Sequence, residues 1–191
     1  MKFITFTRIF LHFLPFSVGI TALAIFEKNW TFELKKVEVN SSHPELLNMM
    51  DFKAERVGRG LHALSGKIVL NFDINEGDSN ELEVQLFRSA KNMQDFRILP
   101  LKIYRTHLFN ILNTFYKDAA MANFKNCSNL PQFKNFFEPP LKSDTYYMDR
   151  CLFDESGFPN YVVEGFYKVM VRGYGPAEWT MVLISQIETI F

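Results

Sequence analysis

The chain has 191 residues, 48% of them hydrophobic, and carries 21 basic against 21 acidic side chains. That length suits one domain, and the balanced charge gives no electrostatic footing for nucleic acid. The 21 phenylalanines stand against 7 tyrosines and 2 tryptophans, an aromatic load that fills a solid core or lines an apolar cavity, between which composition does not choose.

Residues 1–24 read as a secretory signal peptide, leaving 25–191 as a single β domain. Lys2 and Arg8 supply the positive charge, Ile9 to Ile20 is mostly apolar, and Ala22-Leu23-Ala24 has the small-x-small form of a cleavage site. The uncharged run from Ile9 to Phe26 also has the length of a membrane anchor. His12 and Pro15 weaken that run, so the expectation is an extracellular, secreted protein with no stable membrane span. Asn29-Trp30-Thr31 and Asn40-Ser41-Ser42 are glycosylation acceptors that matter on a secretory route. Asn126-Cys127-Ser128 is a third formal match, discounted because its cysteine is expected to be engaged.

From Trp30 to Val39 the apolar residues alternate as Trp30, Phe32, Leu34 and then as Val37, Val39. The change of parity at Lys35-Lys36 predicts one strand with a bulge. Ser41 to Asp51 reads as turn-like, with a helical turn at Glu45 to Met50. Leu61 to Ile74 is a clear strand, and Asn75-Glu76-Gly77-Asp78-Ser79 reads as a hairpin loop leading to a partner strand with Leu82, Val84 and Leu86 on one face. One wet face and one dry face mark an antiparallel sheet. Phe96 to Tyr104 is a further strand, which Pro100 assigns to an edge or a bulge.

Thr106 to Ala119 is the expected helix, with Leu108, Ile111, Leu112, Phe115 and Ala119 on one stripe and Thr106 as the cap. The aromatic loop that follows holds Phe133, Phe136, Phe137 and Leu141, and Pro139-Pro140 removes two backbone donors in a row. These side chains either plug one end of a sandwich or rim the mouth of a ligand cavity. Tyr146 to Phe153 reads as a strand ending at Glu155-Ser156-Gly157. Glu164–Gly173 and Glu178–Ile190 are two long strands joined by Tyr174-Gly175-Pro176-Ala177. Trp179 to Ile187 is apolar on both parities, as in a strand that is central or covered by the helix.

The chain has two cysteines, Cys127 and Cys151, and in an exported protein a disulfide is the default. Two free thiols or a metal pair are the alternatives. Zinc would want four ligands at short spacings, and neither cysteine has another Cys or a His within a few residues. The histidines are scattered, with no His-Glu-x-x-His and no Gly-x-Ser-x-Gly, and Gly58-Arg59-Gly60 lacks the setting of a dinucleotide turn. Nothing points to an enzyme, a metal or a cofactor.

The ordered run Cys127-Ser128-Asn129-Leu130-Pro131, Pro139-Pro140-Leu141, Asp149-Arg150-Cys151, Gly157-Phe158-Pro159 and Glu164-Gly165-Phe166-Tyr167-Lys168-Val169 resembles the insect chemosensory protein B family. Upstream, Gly58–Gly66 and Phe115-Tyr116-Lys117-Asp118 are also similar to that family. It is related to the ganglioside-activator type of secreted lipid-recognition domain. The resemblance implies an antiparallel β-sandwich or β-cup that binds a lipid or cuticular hydrocarbon in pheromone or taste detection, with a sensory receptor as partner and no catalytic residues. The rival expectation is an extracellular protein-interaction module with a solid core.

Overall fold

The computed structural model describes residues 28–154 and 160–190. The expected signal peptide with its cleavage site, and the turn at Glu155-Ser156-Gly157, lie outside the described residues.

The elements in chain order are β1 (Trp30–Ser41), β2 (Leu47–Gly58), β3 (Leu61–Leu70), β4 (Glu81–Ser89), β5 (Arg97–His107), a helix α1, β6 (Asp144–Cys151), β7 (Gly165–Tyr174) and β8 (Trp179–Thr189). Helix α1 begins with an α-helical turn at Leu108–Ile111, winds more widely as a π-helix over Leu112–Ala120, and returns to α at Met121–Phe124. The strands form two antiparallel sheets, one in the order β1-β8-β7-β4-β5 and one in the order β2-β3-β6. The fold is mainly β, as the alternating patterns predict.

The parity change at Lys35-Lys36 is a register shift. Leu34 faces Ser185 and Lys36 faces Ile184, so Lys35 is the extra residue. The bulge keeps both halves of β1 turned inward, Leu34 before it and Val37 after it, and both pack into the same core cluster. β8 takes the interior position its two apolar parities require, between β1 and β7, and β5 with its Pro100 is an edge.

Three expectations need correction. The helical turn expected at Glu45–Met50 lies earlier and is shorter. Leu46 and Leu47 both donate to the His43 carbonyl, and from Leu47 the chain pairs with β3 as a strand. The alternation that would have announced β2 is broken by a register shift between Met50 and Lys53, where Asp51 sits at φ 58°. Asn75–Ser79 is not a hairpin loop, because β3 and β4 belong to different sheets. Ile74 leaves the strand to bridge Leu141, and the Asp78 carboxylate accepts from the Asn75 backbone and side chain, so the loop turns on itself and crosses over.

The helix also starts later than expected. Thr106 still pairs with Leu82 in the sheet, and the cap is His107, whose Nδ1 accepts from the Phe109 N–H at 3.3 Å. The wider winding turns Phe115 outward to 47% exposure and leaves Ala119 exposed, while Leu112 is buried and Tyr116 half-buried. Burial pushes the Tyr116 phenol up to about 12, and its hydroxyl donates to the Pro131 carbonyl at 2.8 Å.

Two clusters make the core. In one, Leu34 meets Leu64, Met148 and Cys151 between the sheets. In the other, Phe109 and Leu112 of α1 pack on Leu47, Leu70 and Tyr146 of the small sheet, with Ala177 beside them. The Cys127–Cys151 disulfide, with Cα atoms 5.3 Å apart, joins the segment after α1 to the end of β6. Closing that loop limits the unfolded chain and stabilises the fold by ~3.5 kcal/mol on the chain-entropy account.

Candidate functional site: an apolar sheet face

Of the expected rim residues, Phe133, Phe137 and Leu141 are half-buried and pack against the cluster under the helix. Phe137 stacks on Phe109 with ring centroids 5.5 Å apart and meets Phe133 edge-on at 5.6 Å, while Phe133 stacks on Tyr116 at 6.3 Å. The loop is tied to the helix by polar contacts as well. The Phe137 N–H donates to Asn113 Oδ1 at 2.6 Å, and Lys117 donates to the Asn135 carbonyl at 2.6 Å. In this arrangement those three side chains plug one end of the sandwich. Phe136 differs, being 72% exposed with the Lys117 ammonium 5.6 Å from its ring centre. The two acceptor asparagines, Asn29 and Asn40, are both exposed.

The larger apolar surface lies elsewhere. In the five-stranded sheet the register places Leu82, Val84 and Leu86 of β4 opposite Gly173, Val171 and Val169 of β7, and these opposite Trp179, Met181 and Leu183 of β8. Strand parity puts all of them on the face that carries Leu34 and Val37, the side toward the small sheet. The other face carries Glu83, Gln85, Arg172 and Thr180, with Met170 and Val182 between them, and the Lys168 ammonium over the Phe87 ring at 4.3 Å.

In a closed sandwich the middle of the inner face is buried. Here Val84, Leu86, Val169, Val171, Met181 and Leu183 are all only half-buried. β1 is the strand of the large sheet whose backbone comes close to β2 and β3. The first turn of α1 meets β4 and β5, and its body follows the small sheet and ends beside β6, while Val84, Leu86, Val169, Val171 and Met181 belong to neither core cluster. The result is a cup, closed at one end by the helix and the aromatic loop.

At the closed end a small void of about 30 Å³ lies among Leu47, Phe72, Ile74, Leu82, Leu108 and Trp179. It has room for a water molecule and not for an alkyl chain. The Trp179 indole lies flat across β7 because Gly173 has no side chain; a Cβ there would come within 2.0 Å of Trp179 Nε1. Outside this end an open polar cleft of about 680 Å³ lies between Asp73, Asp78, Arg105, Tyr174 and Glu178. Its charges are largely matched. Arg105 pairs with Glu81 at 2.6 Å and covers the Tyr174 ring, Lys142 pairs with Asp73 at 2.9 Å, and Tyr174 donates to Glu83 at 2.7 Å.

Among the described residues no group of three or more His, Cys, Asp or Glu side chains could hold a metal, and no helix is long and apolar enough to cross a membrane. What the arrangement offers is an apolar sheet face beside an opening.

An open antiparallel sandwich with one cross-linked helix segment defines the class. Residues 82–169, from β4 through the helix and the disulfide into β7, match the model of a family described as proteins of unknown function (DUF1091). The domains of that family are ML-like, of the MD-2-related lipid-recognition type. No curated protein matches the chain.

The alternation of β4 and the double-sided apolar pattern of β8 were the sequence signals for this face. Sequence reasoning set its weight on the aromatic loop instead, because a cluster of phenylalanines reads as more conspicuous than valines spread over three strands.

Proposed function

We propose that this protein is a secreted, non-enzymatic binder of a lipid or long-chain hydrocarbon, which lays its apolar chain along the inner face of the five-stranded sheet. The observation that carries this reading is the half-buried row set of Val84, Leu86, Val169, Val171 and Met181, an apolar sheet face whose side chains belong to neither core cluster. Burial of a chain there works by desolvation, each methylene contributing ~0.8 kcal/mol, so affinity needs length more than charge. The ML-like match over residues 82–169 supports the same reading.

The resemblance to the chemosensory protein B family extends it to pheromone or taste detection, with the loaded protein presented to a sensory receptor. The disulfide suits an oxidising compartment, and the exposed Asn29 and Asn40 suit glycosylation during export. Phe136 is the one residue of the expected rim whose exposure leaves it able to touch a ligand or membrane.

Native mass spectrometry of protein purified from the medium of expressing cells tests the reading. The expected result is a lipid or hydrocarbon adduct that leaves on activation. A folded protein that carries no adduct and takes none up from added lipid would overturn it.

A solid-core interaction module has one observation in its favour. The aromatic loop packs as a plug, and the void behind it admits only a water. That reading leaves the half-buried face of β4 and β7 to a protein partner.

A further inference from the structure

The inner face of β4 does not end in an apolar residue. Leu82, Val84 and Leu86 are followed on the same parity by Arg88, which stands opposite Tyr167 of β7, itself opposite Ser185 of β8. β4 and β7 pair without a register shift, so Arg88 lies on the same side of the sheet as the valines.

A guanidinium at the end of an apolar face is costly unless something there wants it. Arg88 is half-buried, and among the described residues it has no carboxylate partner. One Nη2–H donates to the Glu164 carbonyl at 2.6 Å, a neutral acceptor, and Nε is buried with no partner. The Tyr167 hydroxyl is a second neutral partner, and of the five N–H groups of an arginine the buried Nε–H is left for another occupant. The Tyr167 phenol lies beside it, its pKa raised by burial with Arg88 opposing, and donates to the Val163 carbonyl at 2.7 Å.

Gly165 begins β7 at φ +135°, where a Cβ would fall 2.6 Å from the Ser89 carbonyl oxygen and in ordinary contact, 3.5 Å, with Arg88 Nε. Any other residue there would strain the strand beside the guanidinium. Leading into this row, the segment before β7 exposes Tyr161 and Val163, so this end of the face lies by an apolar border rather than the aromatic plug.

From these placements we infer that Arg88 anchors the anionic head group of an amphiphile, a carboxylate or phosphate, whose alkyl chain runs from Arg88 past Leu86 and Val84 toward Trp179. Resting on the lipid-binding reading above, this narrows the ligand class to acid-headed lipids rather than plain hydrocarbons. From Arg88 to Leu82 the strand spans roughly 20 Å at the usual rise per residue, a length that suits a long-chain acid. The geometry of an arginine fork matches two anionic oxygens at once.

Competition against a bound fluorescent fatty probe tests this. Hexadecanoate, hexadecyl phosphate, hexadecanol and hexadecane are each titrated against the wild-type protein, Arg88→Met and Arg88→Lys. At least one of the two anions is expected to compete about tenfold better than the alcohol, as a charge-assisted hydrogen bond in a half-buried site would give; which one does so identifies the head group. Arg88→Met should bring the anions to the level of the alcohol while leaving the alcohol within about twofold, and Arg88→Lys should keep part of the preference. Equal competition by all four compounds on the wild-type protein overturns the anchor and leaves the chain-binding reading intact. Absence of any probe binding by folded wild-type protein instead removes the reading on which the anchor rests. The wild-type comparison decides the matter even if Arg88→Met does not fold.

Discussion

Phe137→Ala tests whether the aromatic loop is a plug. The ring stacks on Phe109 at 5.5 Å and meets Phe133 at 5.6 Å, in a cluster that also holds Leu112 and Tyr146. Truncating a buried phenylalanine costs about 3–5 kcal/mol, the lost transfer energy and the cavity together. Phe137 is half-buried, so the lower end of that range applies, near 3 kcal/mol. Its neighbour Phe136 is 72% exposed, and Phe136→Ala should fall within about 0.5 kcal/mol of wild type. Denaturant unfolding followed by tryptophan fluorescence reads both, since Trp179 borders the same cluster. The two rings are adjacent in sequence, so the comparison controls for loop composition. Equal stability of the two variants would refute the plug and return Phe137 to the rim of a cavity.

The disulfide gives a sharper contrast than two equivalent cysteines would. Cys127→Ala and Cys151→Ala each lose the bridge, so the double variant should be little worse than either single one, and additive losses in a double-mutant cycle would contradict this. Cys151 is fully buried beside Leu34, Leu64 and Met148, with the Cys127 carbonyl oxygen 3.3 Å from its Sγ, so a Cys151→Ser hydroxyl has an acceptor and should cost no more than about 1 kcal/mol beyond Cys151→Ala; matched unfolding curves check it. Gly173→Ala should destabilise the fold and shift the tryptophan emission, because the new methyl meets the Trp179 ring; an unchanged spectrum would place the indole elsewhere.

Asp73 is held below its ordinary 3.8 chiefly by the Ser143 N–H, with Lys142 adding to it. A depressed carboxylate contributes stability fully above its unfolded value, and that contribution falls away as pH drops through the lower folded value. Asp73→Asn should therefore narrow its stability gap to wild type as pH falls below about 3.8, which unfolding measured across that range will show.

Much of the fold was legible because alternation is a local signal. The bulge at Lys35, the edge position of Pro100 and the interior position of β8 all follow from which residues can face water. β2 escaped notice because a bulge near Asp51 breaks its period, and pairing β3 with β4 failed because a short loop rich in Gly, Asp and Asn has the composition of a hairpin whichever sheet it enters. The disulfide followed from counting.

The site was legible only in part. Phenylalanine clusters in sequence do not say whether they face a core or an opening. Val84, Val171 and Met181 form a surface only once three strands distant in sequence are set side by side, and their incomplete burial is a fact of tertiary packing. Arg88 was not singled out in the sequence, although it continues the parity of Leu82, Val84 and Leu86, and its lack of a carboxylate partner is a fact of packing.

Titrating the folded protein with a fluorescent fatty chain, and comparing wild type with Val171→Asp on the inner face and Arg172→Asp on the outer, asks whether an apolar chain rests on the inner face of the large sheet. Saturable uptake at micromolar concentration by wild type and Arg172→Asp, and its loss in a still-folded Val171→Asp, is the predicted result. Failure of folded wild type to take up the probe, or equal uptake by a folded Val171→Asp, would contradict it.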